Sequence, residues 1–368
     1  MEFLSEQAGC WPVNLEFKKD TEKCLERVYA WYQGELLDRP PVRFARHNEL
    51  YDKVDESGLS WPSLKDRWFD TEYQIKKTIS EMEKKSFLGE TFPVFWPNLG
   101  PNIMAAAYGC PYVFGEVTAW AEPILEDPDK NYAFPSFDWQ CEYIKKLDEM
   151  TDAALDYAKD RYWVGYTDLH PGMDLSAALR GMQPLLLDFY ENPEMLHTLG
   201  NIYYDDFFKI YDHFDAKLKA RGQLSITWMN IPSYGKMHIP SCDFSSMISC
   251  EQFIEYAMPG LVRECIHMDH NIFHVDGKGV ARHLDQILTL PKLNAIQWVQ
   301  GMGLDQPILQ WIPFIKKIQS KGKGIVLDIR LDELEPLISE VSPDGLYLCI
   351  ATNDVEEEKA VLKRLEKW

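Results

Sequence analysis

The chain is organised around residues 271–279, which read Asn-Ile-Phe-His-Val-Asp-Gly-Lys-Gly. Their apolar residues predict a short buried strand from Asn271 to Val275, which carries His274 and Asp276 into a glycine-rich turn. An imidazole and a carboxylate two residues apart, where a strand meets a loop, are placed for metal binding or for proton transfer. This stretch therefore predicts both a buried sheet and a functional site at its edge.

Strands and helices alternate on both sides of this stretch. Apolar runs bounded by turn-forming residues predict eight strands, and amphipathic segments between them predict helices. The chain is therefore predicted to be α/β, a single (β/α)8 TIM barrel over 41–368 with an N-terminal helical extension over 1–40. An open doubly wound sheet is the alternative, but no GxGxxG turn follows a strand. The predicted strands begin near 42, 92, 162, 224, 271, 295, 324 and 345.

The composition is that of a globular protein with a strongly acidic surface. Of its 368 residues 46% are hydrophobic and 26% charged, and the formal net charge is −20. A field of that sign repels phosphate backbones and anionic lipid, so we expect neither nucleic-acid nor membrane binding. The sequence shows no export signal and no membrane-spanning apolar run, and its eight cysteines form no CxxC pair. Reduced thiols and a cytoplasmic location are the expectation.

The predicted barrel places candidate ligand-binding residues at its mouth, because active sites of such barrels lie at the C-terminal ends of the strands. Arg43 and Arg46 could hold a substrate carboxylate, or pair with an acidic neighbour. Tryptophans at strand ends could line a flat apolar ligand site, or pack in the core. The predicted substrate-binding residues are Arg43, Arg46, Trp96, Asn98, Trp228, Tyr234, Asp243, Gln297 and Trp298.

The centre of the site has three interpretations. In the first, His274, Asp276 and Cys349 bind one divalent metal, with zinc the expected ion, although Cys349 could instead be a buried apolar residue. In the second, His274 with Asp276, or Asp168 with His170, forms a catalytic acid–base pair without a metal. In the third, Asp276 caps the following helix and His274 hydrogen-bonds within the barrel.

Three stretches give the chain a likeness to a known group. They are Cys242-Asp-Phe-Ser-Ser-Met-Ile-Ser249 ahead of a helix, then His274-Val-Asp-Gly277, then Gln297-Trp298. In these the chain resembles the uroporphyrinogen decarboxylase-like superfamily, and the likeness extends more loosely over nearly the whole chain. The superfamily holds the decarboxylase and the methyltransferases that move methyl groups between corrinoid proteins and thiols or folates. The resemblance implies a (β/α)8 barrel.

The two branches of the superfamily imply different site residues. The methyltransferase branch binds zinc through His-x-Cys-Gly and a cysteine at the last strand. His274 matches the histidine, Asp276 stands where the first cysteine would be, and Cys349 matches the late cysteine. The decarboxylase branch carries an arginine-rich loop, which Arg43 and Arg46 match loosely, and an aspartate after the second strand, which this chain lacks.

The resemblance predicts a methyltransferase-like enzyme. It would move a methyl group between a small-molecule substrate and a thiol or a corrinoid carried by a partner protein, with zinc as the metal. One alternative is a carboxy-lyase acting on a carboxylated small molecule or a tetrapyrrole. The other is a barrel that binds a tetrapyrrole or aromatic ligand without turnover. Members of the group are often dimers, which makes a homodimer an expectation here too.

Overall fold

The computed structural model describes residues 15–46, 58–125, 134–301 and 303–368 of the chain. Within these ranges, six strands form one curled parallel sheet in the order β1-β10-β9-β8-β7-β6. A parallel pair, β2 and β5, and an antiparallel hairpin, β3 and β4, lie outside it. The strands are β1 (Val42–Arg46), β2 (Val94–Phe95), β3 (Tyr112–Phe114), β4 (Ala119–Ala121), β5 (Trp163–Val164), β6 (Met237–His238), β7 (His270–Asp276), β8 (Leu293–Val299), β9 (Gly324–Arg330) and β10 (Leu346–Thr352).

Helices separate most of the strands and cover the outer face of the sheet. A π-helical turn, Phe253–Ala257, joins two of these helices into one continuous rod. The α-helices of the described ranges are Thr21–Tyr32, Leu64–Phe69, Thr71–Glu83, Ile103–Ala107, Glu142–Ala158, Gly172–Arg180, Met182–Glu191, Pro193–Ala220, Cys250–Gln252, Met258–His267, Gly277–Ala281, Leu284–Ile287, Ile312–Gln319, Leu334–Glu340 and Val355–Leu365. None of them is both long enough and apolar enough to cross a bilayer.

The central strands are apolar on both faces because each face has its own core. On β10, Leu348 and Ile350 pack with the outer helices, whereas Tyr347 and Cys349 point to the inner face. Successive side chains of a strand alternate between faces, so near-continuous burial of β10 means that both faces are covered. The inner core closes around the helix Thr21–Tyr32.

The helix Thr21–Tyr32 covers the N-terminal ends of the strands. Trp31 donates a hydrogen bond from Nε1 to the main-chain oxygen of Gly345, just before β10, at 2.8 Å. Tyr32 stacks on His270, the first residue of β7, with ring centroids 4.0 Å apart. With this end filled by aromatic side chains, the inner face of the sheet is reached from the C-terminal ends of the strands.

The structure confirms a mixed α/β fold with a parallel sheet, but not eight strands in one sheet. The strand predicted over 224–229 is an irregular segment, in which Ser225 makes only an isolated antiparallel bridge to Ser233. A tight turn, in which Asn230 N donates to Thr227 O at 2.8 Å, reverses the chain before a strand can extend. The short strand β6 pairs with β7 instead. Ile226 still accepts a hydrogen bond from Tyr166 N at 2.9 Å, so this segment lies beside β5.

Buried Glu90 connects β1 to the segment that leads into β2. Its carboxylate accepts hydrogen bonds from Arg27 Nη1 at 3.1 Å, Arg39 Nη1 at 2.8 Å and the main-chain N–H of Val42 at 2.7 Å. Its own N–H donates to Val42 O at 2.7 Å. The side chain of Glu90 is fully buried and two guanidinium groups balance its charge.

We expect Glu90→Ala to lower the free energy of unfolding by about 3–5 kcal/mol, because it leaves two buried guanidinium groups without their shared carboxylate. Urea unfolding followed by circular dichroism measures the change. Glu116→Ala is the matched control, since it removes the exposed partner of Arg67 and should cost less than about 1 kcal/mol. Equal losses in the two variants would contradict the role given to Glu90.

Candidate functional site

His274 is held in one orientation by the neighbouring strand. β7 and β8 pair so that His274 lies opposite Gln297, and His274 Nδ1 is 2.6 Å from Gln297 Oε1. An amide oxygen only accepts hydrogen bonds, so Nδ1 carries a proton, and in the neutral imidazole the lone pair lies on Nε2. That lone pair points toward the mouth, where the nearest carboxylate oxygen, Asp243 Oδ1, lies 4.0 Å from Nε2.

Asp243 and Asp276 complete a cluster with His274. One ligand atom from each of the three residues lies within 4.8 Å of the others. Asp276 is the last residue of β7, and Asp243 begins the 3₁₀ turn Asp243–Met247. Asp243 was predicted to contact substrate, and the structure brings it to the predicted metal ligands His274 and Asp276.

Cys349 is not part of this cluster. Its Sγ accepts a hydrogen bond from Arg43 Nε at 2.8 Å, and Arg43 Nη1 donates to Met229 O. Burial raises the pKa of the Cys349 thiol to about 12, although Arg43 acts in the opposite direction. The physical reason for the separation is the strand order, since β10 is three strands away from β7 in the sheet.

A second polar group runs from Asp168 to Asp174. His170 Nε2 lies 2.9 Å from Asp168 Oδ1, and His170 Nδ1 lies 3.0 Å from Ser241 Oγ. Ser241 Oγ in turn donates to Asp174 Oδ2 at 3.1 Å, and Asp174 also accepts the main-chain N–H groups of Asp243 and Phe244. The predicted Asp168–His170 pair is therefore linked to the loop that carries Asp243.

His170 and Asp243 have pKa values shifted by burial and by the charges around them. Burial alone would lower the pKa of His170, but Asp168, Asp174 and Asp243 raise it to about 9. Burial raises the pKa of Asp243 to about 6, helped by Asp174 and Asp276 and opposed by His274 and His170. At neutral pH His170 is consequently a cation among carboxylates.

Two cavities open at the C-terminal ends of the strands. One, of about 570 Å³, is lined by His170, Asp174, Asp243 and Asp276 among others. The other, of about 520 Å³, lies along β1, β9 and β10 and includes Arg43. The predicted site residues are thus divided between two halves of one mouth.

Two predicted ligand-binding residues lie elsewhere. Trp298 is fully buried on the outer face of the sheet, with its ring centroid 4.8 Å from that of Trp311, because it follows inward-facing Gln297 and successive residues alternate. Tyr234 packs on Tyr29, with centroids 5.4 Å apart, at the N-terminal end of the sheet. The chain has already turned back toward the start of β7 at Tyr234, so its assignment to the mouth is corrected.

The other predicted substrate-binding residues lie in different parts of the structure. Trp228 meets His274 edge-on, with ring centroids 5.7 Å apart. Trp96 and Asn98 line a separate cavity of about 320 Å³, and Asn98 Oδ1 accepts the N–H of Gly100 at 2.7 Å. The side chain of Arg46 lies outside the described residues.

The donor set of the cluster fits a divalent metal. His274 offers an imidazole nitrogen whose tautomer Gln297 fixes, which is the arrangement that orients histidine ligands in metal sites. Asp243 and Asp276 offer carboxylate oxygens. One nitrogen and two oxygens suit zinc, and also harder ions such as manganese.

Asp174 and Ser241 were not predicted from the sequence. Asp174 falls in the first turn of the helix Gly172–Arg180, where an acidic residue is ordinary helix chemistry. The sequence feature that could have indicated Asp174 as a site residue is its position shortly after Asp168 and His170. No sequence feature indicated Ser241, because its role depends on where the loop after β6 lies.

We expect His170 to stabilise the fold in a pH-dependent way. Its pKa is raised above the ordinary 6.5 to about 9, so its contribution is fully present below pH 6.5 and is lost as the pH rises through 9. The loss is on the order of 3 kcal/mol. The unfolding free energy of the wild type relative to His170→Gln should therefore fall between pH 6.5 and 9.5.

Asp168→Asn is the control, since it removes the main carboxylate that raises the pKa of His170 and should flatten this dependence. Urea unfolding at the two pH values measures both. A difference between wild type and His170→Gln that stays constant with pH would contradict the charged state of His170.

Comparison with known proteins gives a likeness of fold. No family model matches the chain, and no curated protein matches it in sequence. In all, 23 chains of solved structures match. One is a methyltransferase from Methanosarcina mazei, which aligns with a TM-score of 0.62 over 94% of this chain and 98% of that chain. The two sequences are 12% identical, so the likeness is one of fold.

Proposed function

We propose that the chain is a methyltransferase-like enzyme built on a closed (β/α)8 barrel, with a divalent metal site at the mouth. The observation that carries the proposal is the convergence of Asp243, His274 and Asp276, with His274 oriented by Gln297. The similarity in fold to a methyltransferase, over nearly the full length of both chains, supports it.

Closure of the barrel is supported by contacts that continue round the six-stranded sheet. Glu90 connects β1 to the approach to β2, and β2 pairs with β5. Tyr166, just after β5, bonds to Ile226, and Ser225 Oγ accepts the N–H of Met237 in β6 at 3.1 Å. Each gap between the sheets is thus bridged, although not by regular ladders.

Each residue of the cluster has a defined task in the proposal. His274, Asp243 and Asp276 would hold the ion, and Gln297 orients the ring of His274 so that Nε2 would face it in the neutral tautomer. A divalent ion at this position would act as a Lewis acid that makes a bound thiol or hydroxyl a better nucleophile. The methyl group would leave its donor without the bonding electron pair, and the nucleophile would supply the new pair.

The methyl group would pass between a small molecule and a thiol or a corrinoid carried by a partner protein. His170 borders the same cavity as Asp243 and Asp276. Its imidazolium can hold an anion or return a proton to a leaving group that departs with the electron pair. Asp168 and Ser241 fix both ring nitrogens, so the ring is held in place while it does so.

A carboxy-lyase is the second candidate, favoured by the same His170. Loss of carbon dioxide leaves an electron pair on carbon, and a cationic imidazole beside the cavity could donate the proton that completes the product. This reaction needs no methyl carrier, so product analysis separates the two candidates.

The first test is metal content by elemental analysis, on protein purified without chelator. We expect about one divalent ion per chain in the wild type and none in His274→Ala. Gln297→Met should keep the ligands and weaken affinity about 10- to 100-fold, because His274 loses its orienting partner. His197→Ala, which removes an imidazole half-exposed beside Glu255, should keep the ion.

Folded wild type without metal, or an ion retained by His274→Ala, would overturn the metal site. If the ion is present, methyl transfer is followed with methylcobalamin as donor and a small thiol as acceptor. Activity that disappears with His274→Ala and persists in His197→Ala supports the proposed reaction. Release of carbon dioxide from a carboxylate, with no methyl transfer, would favour the lyase.

A further inference from the structure

We propose that the cavity along β1, β9 and β10 binds a small zwitterion, with a carboxylate on Arg43 and a positively charged group on Asp328. The cavity measures about 520 Å³, which is enough for a small metabolite. The inference that the zwitterion is the substrate rests on the proposed function. The inference that a zwitterion binds here is argued from the charges of the cavity alone.

Most charged residues of this cavity already have partners. Glu90 is shared by Arg27 and Arg39. Arg330 pairs with Asp332 at 3.1 Å, and Glu333 accepts the main-chain N–H of Ile308 at 2.8 Å. These groups hold the fold together at the edge of the cavity and leave little capacity for a ligand.

Arg43 is the exception among the cations. Its Nε donates to Cys349 Sγ and its Nη1 to Met229 O, both uncharged acceptors. Among the described residues no carboxylate oxygen lies within 4.0 Å of its nitrogens, and Nη2 has no acceptor. Asp328 acts on its charge only from beyond direct contact. A partly buried guanidinium that no carboxylate contacts is unusual, and a carboxylate is a group that its planar donors fit well.

Cys349 does not supply the missing charge. Burial raises the pKa of this thiol to about 12, so at neutral pH it is an uncharged S–H group between Arg43 and Asp328. Arg43 therefore keeps its full positive charge, and its two contacts aim the guanidinium without neutralising it.

Asp328 is the corresponding unpaired anion. It is exposed at the end of β9, and no Lys, Arg or His nitrogen of the described residues lies within 4.0 Å of its carboxylate. Gln300, which lies beside it, bonds to the main-chain oxygen of Asp328, and the side-chain partner of the carboxylate is the uncharged thiol of Cys349. A cation on a ligand would give Asp328 the partner that the protein does not.

Strand register places the two charges on one level of the cavity. Arg43 pairs with Cys349 across β1 and β10, and Cys349 pairs with Asp328 across β10 and β9. Two strand spacings separate the Cα atoms of Arg43 and Asp328 by roughly 10 Å. Arg43 leans toward Cys349, so the charged groups come closer than that, yet remain more than 4.0 Å apart.

This arrangement favours a molecule that carries both charges. A carboxylate alone would satisfy Arg43 but bring a second negative charge near Asp328. An amine alone would satisfy Asp328 and be repelled by Arg43. A zwitterion satisfies both, and each matched charge is worth about tenfold in affinity for a charged hydrogen bond of ordinary strength.

The test measures binding of three probe series by isothermal titration calorimetry, with saturation-transfer NMR for weak binders. The zwitterions are glycine, β-alanine and 4-aminobutyrate, and each is compared with the acid and the amine of the same chain length. We expect at least one zwitterion to bind about tenfold more tightly than its matched acid and amine.

Two variants distinguish ligand binding from a structural role. Asp328→Asn changes an exposed carboxylate, should leave the fold intact, and should lower the affinity for the zwitterion to that for the acid. Arg43→Met should abolish binding of both zwitterion and acid. Equal affinities for zwitterion and acid in the wild type, an Asp328→Asn variant that binds like the wild type, or no binding of any probe would overturn the inference.

The same titrations in chelator-treated wild type and in His274→Ala separate this inference from the proposed function. The cavity residues do not include His274, so binding should persist in both. Zwitterion binding in a protein that never holds metal would support the site and overturn the metal proposal. Metal binding without zwitterion binding would overturn only the inference about the ligand.

Discussion

The buried carboxylate of Glu90 is the contact on which the geometry of the mouth depends. It joins Arg27 of the N-terminal helix, Arg39 of the following turn and the N–H of Val42 at the start of β1. The backbone at this contact is also constrained, because Gly89 has a φ of +57° and a Cβ at this position would lie 2.4 Å from Val42 O. A small change at this point would move β1, and Arg43 follows Val42 directly. The same contact that holds the start of β1 therefore sets the position of a charged group in the cavity.

Because the strands are parallel and their register is fixed, side chains of neighbouring strands lie side by side in two rows at the mouth. Opposite residues of neighbouring strands share a face, so His274 meets Gln297 on one side of the mouth. Arg43, Cys349 and Asp328 come level on the other side. Neither row needs a special local conformation, because each follows from strands that are buried on both faces and therefore have a fixed register. The loop after β6 adds Asp243 to the first row, tied down through Asp174.

The sequence predicted the residues of the site that lie on strands, but of the loop residues only Asp243, and that one as a substrate contact and not as a metal ligand. His274, Asp276 and Gln297 could be placed together because buried parallel strands and their C-terminal ends are visible in the apolar pattern. Trp298 could not be excluded in the same way, since a one-residue choice of register decides which face a side chain takes. Tyr234 and the segment from 224 to 229 depend on a tight turn near Asn230, whose φ of +56° no apolar pattern reveals. Asp243 reached the cluster through contacts between loops, which are set by tertiary packing.

The two halves of the mouth differ in charge, and this difference bears on what the protein can bind. Asp174, Asp243 and Asp276 place carboxylates around the C-terminal end of β7, and the imidazolium of His170 is the cation beside them. Such a half attracts a metal ion and repels an anion unless the ion is present. Arg43 provides a positive charge on the other side of the sheet, with no carboxylate of the described residues in direct contact with it. In the proposed site, a ligand anion would be drawn to the side away from Asp243, His274 and Asp276, where it would not compete with their carboxylates for an ion. The other end of such a ligand would then extend toward His274, in a protein whose net charge of −20 otherwise repels anions.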